Sequence, residues 1–240
     1  MELYNENMLS RIKQIESESI DLIVTDPPYS ITSRGNCGNM SGYWVEKQSM
    51  SGNLFKAEIP KITDYIADFE RILKNGSHFY IMTNHINLIE YLNAIENTPN
   101  LHFTKCLIWD KVKKINGQMY MGQFEYVLFG RKRGDFKPIN DCGSSDIISI
   151  PIKKMKYADG RNMHNTEKPT KLMEYFIKNS SQEGEVVLDP FMGIGASGVA
   201  CKNLNRNFIG IEIEKTYFDI AKARIEEHCV NIDNQQLTLF

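Results

Sequence analysis

Residues 185–198 read Glu-Val-Val-Leu-Asp-Pro-Phe-Met-Gly-Ile-Gly-Ala-Ser-Gly. The apolar run before Asp189 predicts a buried strand, and the glycines after it predict a tight turn that leads into a helix. Gly193, Gly195 and Gly198 match the spacing Gly-x-Gly-x-x-Gly, which brings the N-terminus of a helix close to a ligand. The segment favours a ligand-binding turn, and the same glycines also fit a purely structural one.

The next apolar run ends in Glu212, 17 residues after Gly195. A carboxylate at this position suits a ribose hydroxyl in any ligand that contains a nucleoside. An ordinary dinucleotide domain is disfavoured, because too few residues follow to build its second half.

Apolar runs and helical patterns alternate along the chain. This alternation predicts one α/β domain over residues 1–240, with a mostly parallel sheet covered by helices on both faces. In such a sheet, ligands lie beyond the carboxyl ends of the strands. The predicted strands are 21–25, 78–82, 102–109, 124–129, 147–152, 185–189 and 207–212, and the predicted helices are 7–15, 62–73, 86–95, 168–178, 196–204 and 217–228.

A second strand end carries chemistry, since residues 21–29 read Asp-Leu-Ile-Val-Thr-Asp-Pro-Pro-Tyr. The two prolines stiffen the backbone and leave its carbonyls free as acceptors. Asp26 and the Pro27 carbonyl are suited to accept the two protons of an NH2 group, and Tyr29 is suited to stack on the ring that bears it. The structural alternative is a strand that simply ends in a Pro-Pro turn.

The composition is that of an ordinary globular chain, with 42% hydrophobic and 24% charged residues. No stretch approaches the roughly 18 apolar residues of a membrane span, and residues 1–10 lack the pattern of a secretory signal. The five cysteines are scattered without metal-like spacing. We therefore expect a cytoplasmic protein without a structural zinc or a disulfide scaffold.

The net charge of −2 hides a basic third of the chain, because 15 Lys/Arg stand against 8 Asp/Glu between Lys105 and Lys178. We expect these basic residues to lie in exposed loops that face a polyanion. The clusters are Lys111, Lys113 and Lys114; Arg131, Lys132, Arg133 and Lys137; and Lys153, Lys154, Lys156 and Arg161.

Taken together, these segments make the chain resemble the DNA amino-methyltransferases that use S-adenosylmethionine (SAM), in their circularly permuted β group. In that group the Asp-Pro-Pro-Tyr block precedes the Gly-rich block, as it does here. The resemblance covers nearly the whole chain. The similar blocks are residues 3–7, 20–29, 108–111, 124–129, 164–169 with Leu172, 187–195 and 208–212.

The resemblance implies a Rossmann-like fold and methyl transfer from SAM to the exocyclic amine of a base flipped out of double-stranded DNA. It implies neither a metal nor a cysteine nucleophile. The catalytic residues that it implies are Asp26, Pro27 and Tyr29. The cofactor-binding residues that it implies are Asn7, Thr166, Lys168, Asp189, Phe191, Gly193, Gly195 and Glu212.

Two positions depart from the family pattern. Glu6-Asn7 stands where Gly-Asp is usual, so that an amide oxygen replaces the acid expected at the adenine of SAM. Ala196 stands where Ser or Thr is usual, with Ser197 next to it.

Adenine N6 is the favoured target, because the block begins with Asp26 rather than Ser, and cytosine N4 is the alternative within the class. RNA is a third substrate, and a regulatory SAM- or nucleotide-binding subunit without catalysis is the alternative from a different class.

Two further segments predict interactions. Residues 131–161, together with the Ser30–Asn53 loop, are expected to recognise the target sequence. Residues Gln236-Leu237-Thr238-Leu239-Phe240 resemble the pentapeptide that docks bacterial polymerases and repair proteins on the DNA sliding clamp, while packing of this tail on its own domain is the alternative. A homodimer and pairing with a restriction enzyme are left open.

Overall fold

The computed structural model describes residues 1–28, 59–114, 120–152 and 167–226. Within these ranges the chain forms eight strands, six α-helices and two short 3-10 turns, Ile12–Gln14 and Ile62–Asp64. The strands are β1 Glu2–Tyr4, β2 Ile20–Thr25, β3 Leu73–Thr83, β4 Leu101–Asp110, β5 Phe124–Lys132, β6 Ile147–Ser149, β7 Val186–Asp189 and β8 Asn207–Ile211. The helices are α1 Met8–Arg11, α2 Ile66–Ile72, α3 Leu88–Glu96, α4 Thr170–Ser180, α5 Ala196–Asn203 and α6 Lys215–Glu226.

All eight strands belong to one sheet, in the order β1-β8-β7-β2-β3-β5-β4-β6. Five of the neighbouring pairs are parallel, and only β5 runs against its two neighbours. The prediction of a mostly parallel α/β sheet is therefore confirmed.

The side chains of the central strands alternate between two buried layers. In β3, Phe79 and Ile81 pack with α1, α2 and α3 on one face. Tyr80 and Met82 pack with α4, α5 and α6 on the other. Helices thus cover both faces, which explains why these strands read as continuous apolar runs rather than as an alternation of polar and apolar residues.

The sequence patterns do not reveal β1, and they misplace several boundaries, most clearly the one between α2 and β3. β1 has only three residues, too few for a period of two to be visible, and it is placed by its parallel pairing with β8. The helix predicted over 62–73 is a 3-10 turn followed by α2, and β3 already begins at Leu73. The tertiary pairing of Leu73 with Ile20 overrides the helical spacing there.

The sheet places several chain segments at one edge. The carboxyl ends of β2, β3, β7 and β8 lie there, and β5 begins there because Tyr126 pairs with Thr83. β4 and β6 end at the same edge, since Asp110 pairs with both Phe124 and Ser149. No helix in the described ranges is long and apolar enough to cross a membrane.

Candidate active site

A cavity of about 170 Å³ lies at this carboxyl edge, which is room for part of an organic ligand rather than for a single water. It combines apolar side chains with a few carboxylates and one lysine. Residues predicted from the sequence meet in its lining although they are up to about two hundred positions apart in the chain. Those residues are Asn7, Asp26, Pro27, Lys168, Asp189, Phe191, Gly193 and Glu212.

Asp26 follows the last residue of β2 and borders the cavity beside Pro27. Its Oδ2 lies 2.8 Å from the Lys168 ammonium. Its Oδ1 is buried and has no hydrogen-bond partner in the described part of the chain. Burial raises the pKa of Asp26, and the neighbouring Lys168 opposes that rise. The carboxylate therefore has one oxygen fixed by a cation and one oxygen left over, which is an unstable arrangement unless a donor arrives.

Lys168 stands directly before Pro169, at the start of α4, and its side chain is only 6% exposed. Besides Asp26, it lies 3.0 Å from Glu125 Oε2. The methionine carboxylate of SAM, which the family resemblance implies as a partner of Lys168, would have to share the ammonium with these two carboxylates. Pairing with Asp26 was not predicted from the sequence.

Asp189, at the end of β7, is held by three donors. Its Oδ1 accepts from the Thr25 hydroxyl at 2.9 Å and from the Phe191 N–H at 3.1 Å. Its Oδ2 accepts from the Ser197 hydroxyl at 2.5 Å. Burial nevertheless raises the pKa of Asp189 to about 6. Through these three hydrogen bonds, Asp189 joins β2, β7 and α5 at the cavity. Ser197, not residue 196, supplies the hydroxyl in this turn.

Glu212 follows β8 and is fixed by backbone donors. Its Oε2 accepts from the Gly193 N–H at 3.0 Å and its Oε1 from the Glu214 N–H at 2.8 Å. Burial is the main cause that raises its pKa. Each carboxylate oxygen keeps a second lone pair, so an oriented carboxylate remains available for hydroxyl donors in the cavity.

Asn7 and Phe191 line the cavity, and each also makes a contact that stabilises the fold. The Asn7 side-chain oxygen accepts from the Leu9 N–H at 2.8 Å, which makes Asn7 the N-cap of α1. The Phe191 ring packs edge-on against Tyr65, with ring centroids 5.5 Å apart. The family resemblance implies both residues as cofactor contacts. The contact of Phe191 with Tyr65 has no counterpart in the sequence pattern.

Gly195 is not among the residues that line the cavity in the described structure. It has a φ of +82° and is the N-cap of α5, and a Cβ there would lie 3.0 Å from the Cβ of Ala221 on α6. A Cβ on Gly198 would lie 2.3 Å from Ile225 Cδ1. These two glycines allow α5 to approach α6, and the contact of Gly195 with the ligand stays a prediction.

Several predicted features lie outside the described residues. They are Tyr29, Thr166, the Ser30–Asn53 loop, the basic residues at 153–161 and the peptide Gln236–Phe240. In the described ranges, no group of three His, Cys, Asp or Glu side chains could hold a metal ion.

The sequence patterns do not assign a site role to two further residues, Lys111 and Glu125. Lys111, directly after β4, lies 2.6 Å from Glu125 Oε1 near the start of β5. Both belong to blocks that carry the family resemblance, but no role followed from their spacing. A Glu at the start of an otherwise apolar strand, in Phe124–Phe129, was the available signal.

The basic third of the chain is divided between two edges of the sheet. Lys113 and Lys114 follow β4 at the cavity edge and are exposed. Arg131 and Lys132 end β5 at the opposite edge, where Lys132 pairs with Leu101. The expectation of exposed loops is wrong for Lys111 and Lys132, which are 5% and 7% exposed. Lys132 binds Glu18 and the Leu73 carbonyl instead.

The fold and the cavity thus define an α/β protein with a ligand cavity at the carboxyl edge of its sheet and the Asp26 carboxylate in its lining. A family model described as DNA methylase, of the N6/N4 type, matches residues 20–223. The chain belongs to this family of DNA methyltransferases.

Curated relatives extend over most of the chain. It is 28% identical to the Type II methyltransferase M.HinfI of Haemophilus influenzae, over 91% of this chain and 66% of that protein, which is just under two thirds. It is also 28% identical to the Type II methyltransferase M2.DpnII of Streptococcus pneumoniae, over 94% of this chain and 90% of that protein.

Solved structures agree in fold. The M1.HpyAVI–SAM complex is 26% identical, with a TM-score of 0.67 over 93% of this chain and 98% of that one. The cytosine-N4-specific PvuII DNA methyltransferase is 15% identical, with a TM-score of 0.73 over 95% of this chain and 87% of that one, which supports the fold alone.

Proposed function

We propose that this protein is a site-specific DNA methyltransferase that transfers a methyl group from SAM to N6 of a flipped adenine. The observation that carries the proposal is the Asp26 carboxylate at the cavity, beside Pro27, whose buried Oδ1 has no hydrogen-bond partner among the described residues. An exocyclic amine carries two N–H donors, one for this oxygen and one for the Pro27 carbonyl.

Three features of the cavity fit the groups of SAM. Glu212 presents an oriented carboxylate for the ribose hydroxyls, and Phe191 and Asn7 offer a ring face and an amide for the adenine. The Gly193 N–H is fixed by Glu212 at 3.0 Å, which keeps the loop close to the cavity. When bound, SAM supplies an electrophilic methyl group on a positively charged sulfur. Thr166 stays a predicted cofactor contact.

The chain's own residues orient the amine. Its lone pair is delocalised into the base, so the nitrogen is a poor nucleophile until its two N–H groups are held away from that plane. Asp26 Oδ1 accepts one N–H and the Pro27 carbonyl accepts the other, which favours a tetrahedral nitrogen. As the nitrogen becomes positive, the negative charge of Asp26 stabilises it. Tyr29 stays the predicted stacking partner of the flipped base.

The choice of adenine over cytosine is supported by Asp26 at the first position of its block, where a serine marks many N4-cytosine enzymes. Both amines present the same two donors to Asp26 and Pro27. Mass spectrometry of nucleosides from treated DNA separates the two. Detection of N6-methyladenine supports the proposal. Detection of N4-methylcytosine means that cytosine is the target instead. If the wild-type protein methylates neither base, the result favours a non-catalytic subunit.

The decisive variant is Asp26→Ala. We expect methyl transfer to fall below detection while the dissociation constant of SAM, measured by calorimetry, stays within about threefold, because Asp26 binds the amine rather than the cofactor. Asp135→Ala removes an exposed carboxylate and serves as the matched control. Turnover of Asp26→Ala within tenfold of wild type would refute the assignment of this residue.

The DNA is expected to cover the cavity edge, since a flipped base must reach Asp26. The loop after β4, with Lys113 and Lys114, and the segment after β6 emerge at this edge. The target-recognition segment predicted at 131–161 is divided by the fold, because residues 131–132 end β5 at the far edge. We therefore propose that recognition uses residues 111–123 and the segment after β6, together with the predicted Ser30–Asn53 loop.

The salt dependence of DNA binding tests this placement. Replacing Lys113 and Lys114 by alanine should reduce the slope of log K against log salt by about one unit per lost phosphate contact. Replacing Arg131 and Arg133, at the opposite edge, is the matched control and should leave the slope unchanged. The reverse result would place the DNA on the far edge.

We also propose that Gln236–Phe240 docks on the bacterial sliding clamp. The support is the sequence alone: Leu237, Leu239 and Phe240 provide apolar anchors in an order similar to the docking pentapeptide. Docking would raise the effective concentration of the enzyme on newly replicated DNA. Titration of the clamp with the full chain and with a form lacking residues 235–240 tests this, and equal affinities would dismiss it.

A homodimer, the permuted β group and a cytoplasmic location stay predictions.

A further inference from the structure

Four charged side chains form a line that starts behind the cavity and ends at Asp26. Lys111 Nζ lies 2.6 Å from Glu125 Oε1, and Glu125 Oε2 lies 3.0 Å from Lys168 Nζ. Lys168 Nζ lies 2.8 Å from Asp26 Oδ2. Both lysine side chains are 6% exposed, and both ammonium groups lie within 6 Å of the Trp109 ring centroid. Cations and anions therefore alternate in a largely dry environment.

Only one end of this line reaches the cavity. Asp26 and Lys168 line the cavity, whereas Glu125 and Lys111 are not among the described residues that line it. Glu125 is partly buried, with 17% of its side chain exposed, and Lys168 and Lys111 lower its pKa in spite of this burial. Burying an ionised carboxylate is unfavourable unless the attraction of neighbouring cations, here two lysines, offsets the desolvation penalty. Glu125 thus serves other side chains rather than the ligand.

The Lys168 ammonium forms ion pairs with Glu125 as well as with Asp26. A lysine ammonium is a compact charge on a flexible stem, so a single carboxylate does not define where it sits. Here Asp26 and Glu125 hold it from two directions. The backbone next to it is also fixed, because Glu167 forms a buried ion pair with Arg224 at 3.1 Å.

We propose that Glu125 is a positioning residue that keeps the Lys168 ammonium on Oδ2 of Asp26 and thereby reserves Oδ1 for the substrate amine. The inference rests on the proposed function, since it takes Asp26 as the acceptor of that amine. Lys111 anchors Glu125 from the other side. Charges that face Asp26 in the described structure are thus Lys168, Glu125 and Lys111, with Asp189 on the neighbouring strand.

Single-turnover methyl transfer by the full chain tests the assignment. We expect Glu125→Ala to slow the methyl-transfer step at least tenfold, because misplacement of a reacting group by about 1 Å can cost 10²-fold. The dissociation constants of SAM and DNA should stay within twofold. Glu125→Gln keeps one acceptor oxygen, so its rate should lie between Glu125→Ala and wild type. Rates of both variants equal to wild type would overturn the proposal.

A second variant distinguishes the positioning role of Glu125 from a merely structural one. Glu125→Ala leaves Lys111 buried without its anion, so the loss could reflect that unpaired cation alone. Lys111→Met combined with Glu125→Ala removes the cation as well. We expect the double variant to stay within threefold of the Glu125→Ala rate even where its melting temperature recovers. Recovery of the wild-type rate would show that Glu125 only neutralises Lys111 and would overturn the proposal.

The proposed function has its own control in the same assay. If wild-type protein transfers no methyl group to DNA, the proposed function fails whatever Glu125 does. If wild type is active, Asp26→Ala is inactive and the Glu125 variants keep the full rate, only the positioning role fails. Should Glu125→Ala not fold, Glu125→Gln and the double variant carry the comparison.

Discussion

The buried carboxylate of Asp189 makes the stability of the protein depend on pH in an unusual direction. Burial raises its pKa from 3.8 to about 6, although three hydrogen bonds favour the ionised form. The unfolded chain releases this proton near pH 3.8, whereas the folded chain keeps it up to about pH 6. Folding therefore takes up a proton between these values, and this group contributes stability at pH 4 that is lost as the pH rises through 6.

The size of the effect follows from the shift. A difference of about two pKa units corresponds to about 3 kcal/mol, at about 1.4 kcal/mol per unit. Asp189→Asn removes the titration and keeps the shape of the side chain, and the Thr25 and Ser197 hydroxyls can reorient toward the amide. We expect the stability of Asp189→Asn relative to wild type to increase by about 3 kcal/mol between pH 4 and pH 7.

Urea unfolding at a series of pH values measures this difference directly, because most other titrations cancel between wild type and variant. Asp135→Asn, at an exposed aspartate, controls for the loss of one negative charge. A relative stability of Asp189→Asn that is constant within 1 kcal/mol, or that decreases toward pH 7, would refute the reasoning. Such a result would mean that the hydrogen bonds of Asp189 outweigh its burial.

Two further substitutions test the packing and the ligand contact. Gly198→Ala should destabilise the protein by about 1–3 kcal/mol in urea unfolding, because its Cβ would lie 2.3 Å from Ile225 Cδ1. The control is Gly143→Ala, which should be nearly neutral because its Cβ would meet only an ordinary contact at 3.5 Å. Glu212→Ala should raise the dissociation constant of SAM in calorimetry about ten- to a hundredfold, because a charge-assisted hydrogen bond of roughly 1.5–3 kcal/mol is lost. Glu214→Ala removes the next carboxylate, which does not line the cavity, and an equal effect of both variants would contradict the ribose contact.

The fold could be predicted from the sequence where a pattern is local. The apolar runs that became β2, β7 and β8 fixed both the class of fold and the edge at which ligands lie. The direction of β5 could not be predicted, since Phe124–Phe129 is equally apolar whichever way it runs. Its reversal places Arg131 at the opposite edge from Glu125, only six positions earlier, and that is why a basic cluster predicted for DNA lies away from the cavity.

The candidate site was predictable as a set of residues but not as a set of contacts. Motif spacing indicated Asp26 and Glu212, the family resemblance implied Lys168, and the structure brings all three to one cavity. The ion pairs of Lys168 depend on side chains far away in the chain, and no spacing rule reports such pairs. Asn7 as the N-cap of α1 was a local signal that could have been read, because Asn is a favoured residue directly before a helix.

The hydrogen bond from Thr25 to Asp189 joins residues that are 164 positions apart. It connects the ends of β2 and β7, which are neighbours in the sheet, so the two halves of the site meet through strand adjacency rather than through chain order. The order in which the two segments occur along a polypeptide is then free to change, provided that their strands remain side by side. Relatives with the reverse order of these segments can build the same floor under the cavity, and a search by strand adjacency would find them where a search by linear order would not.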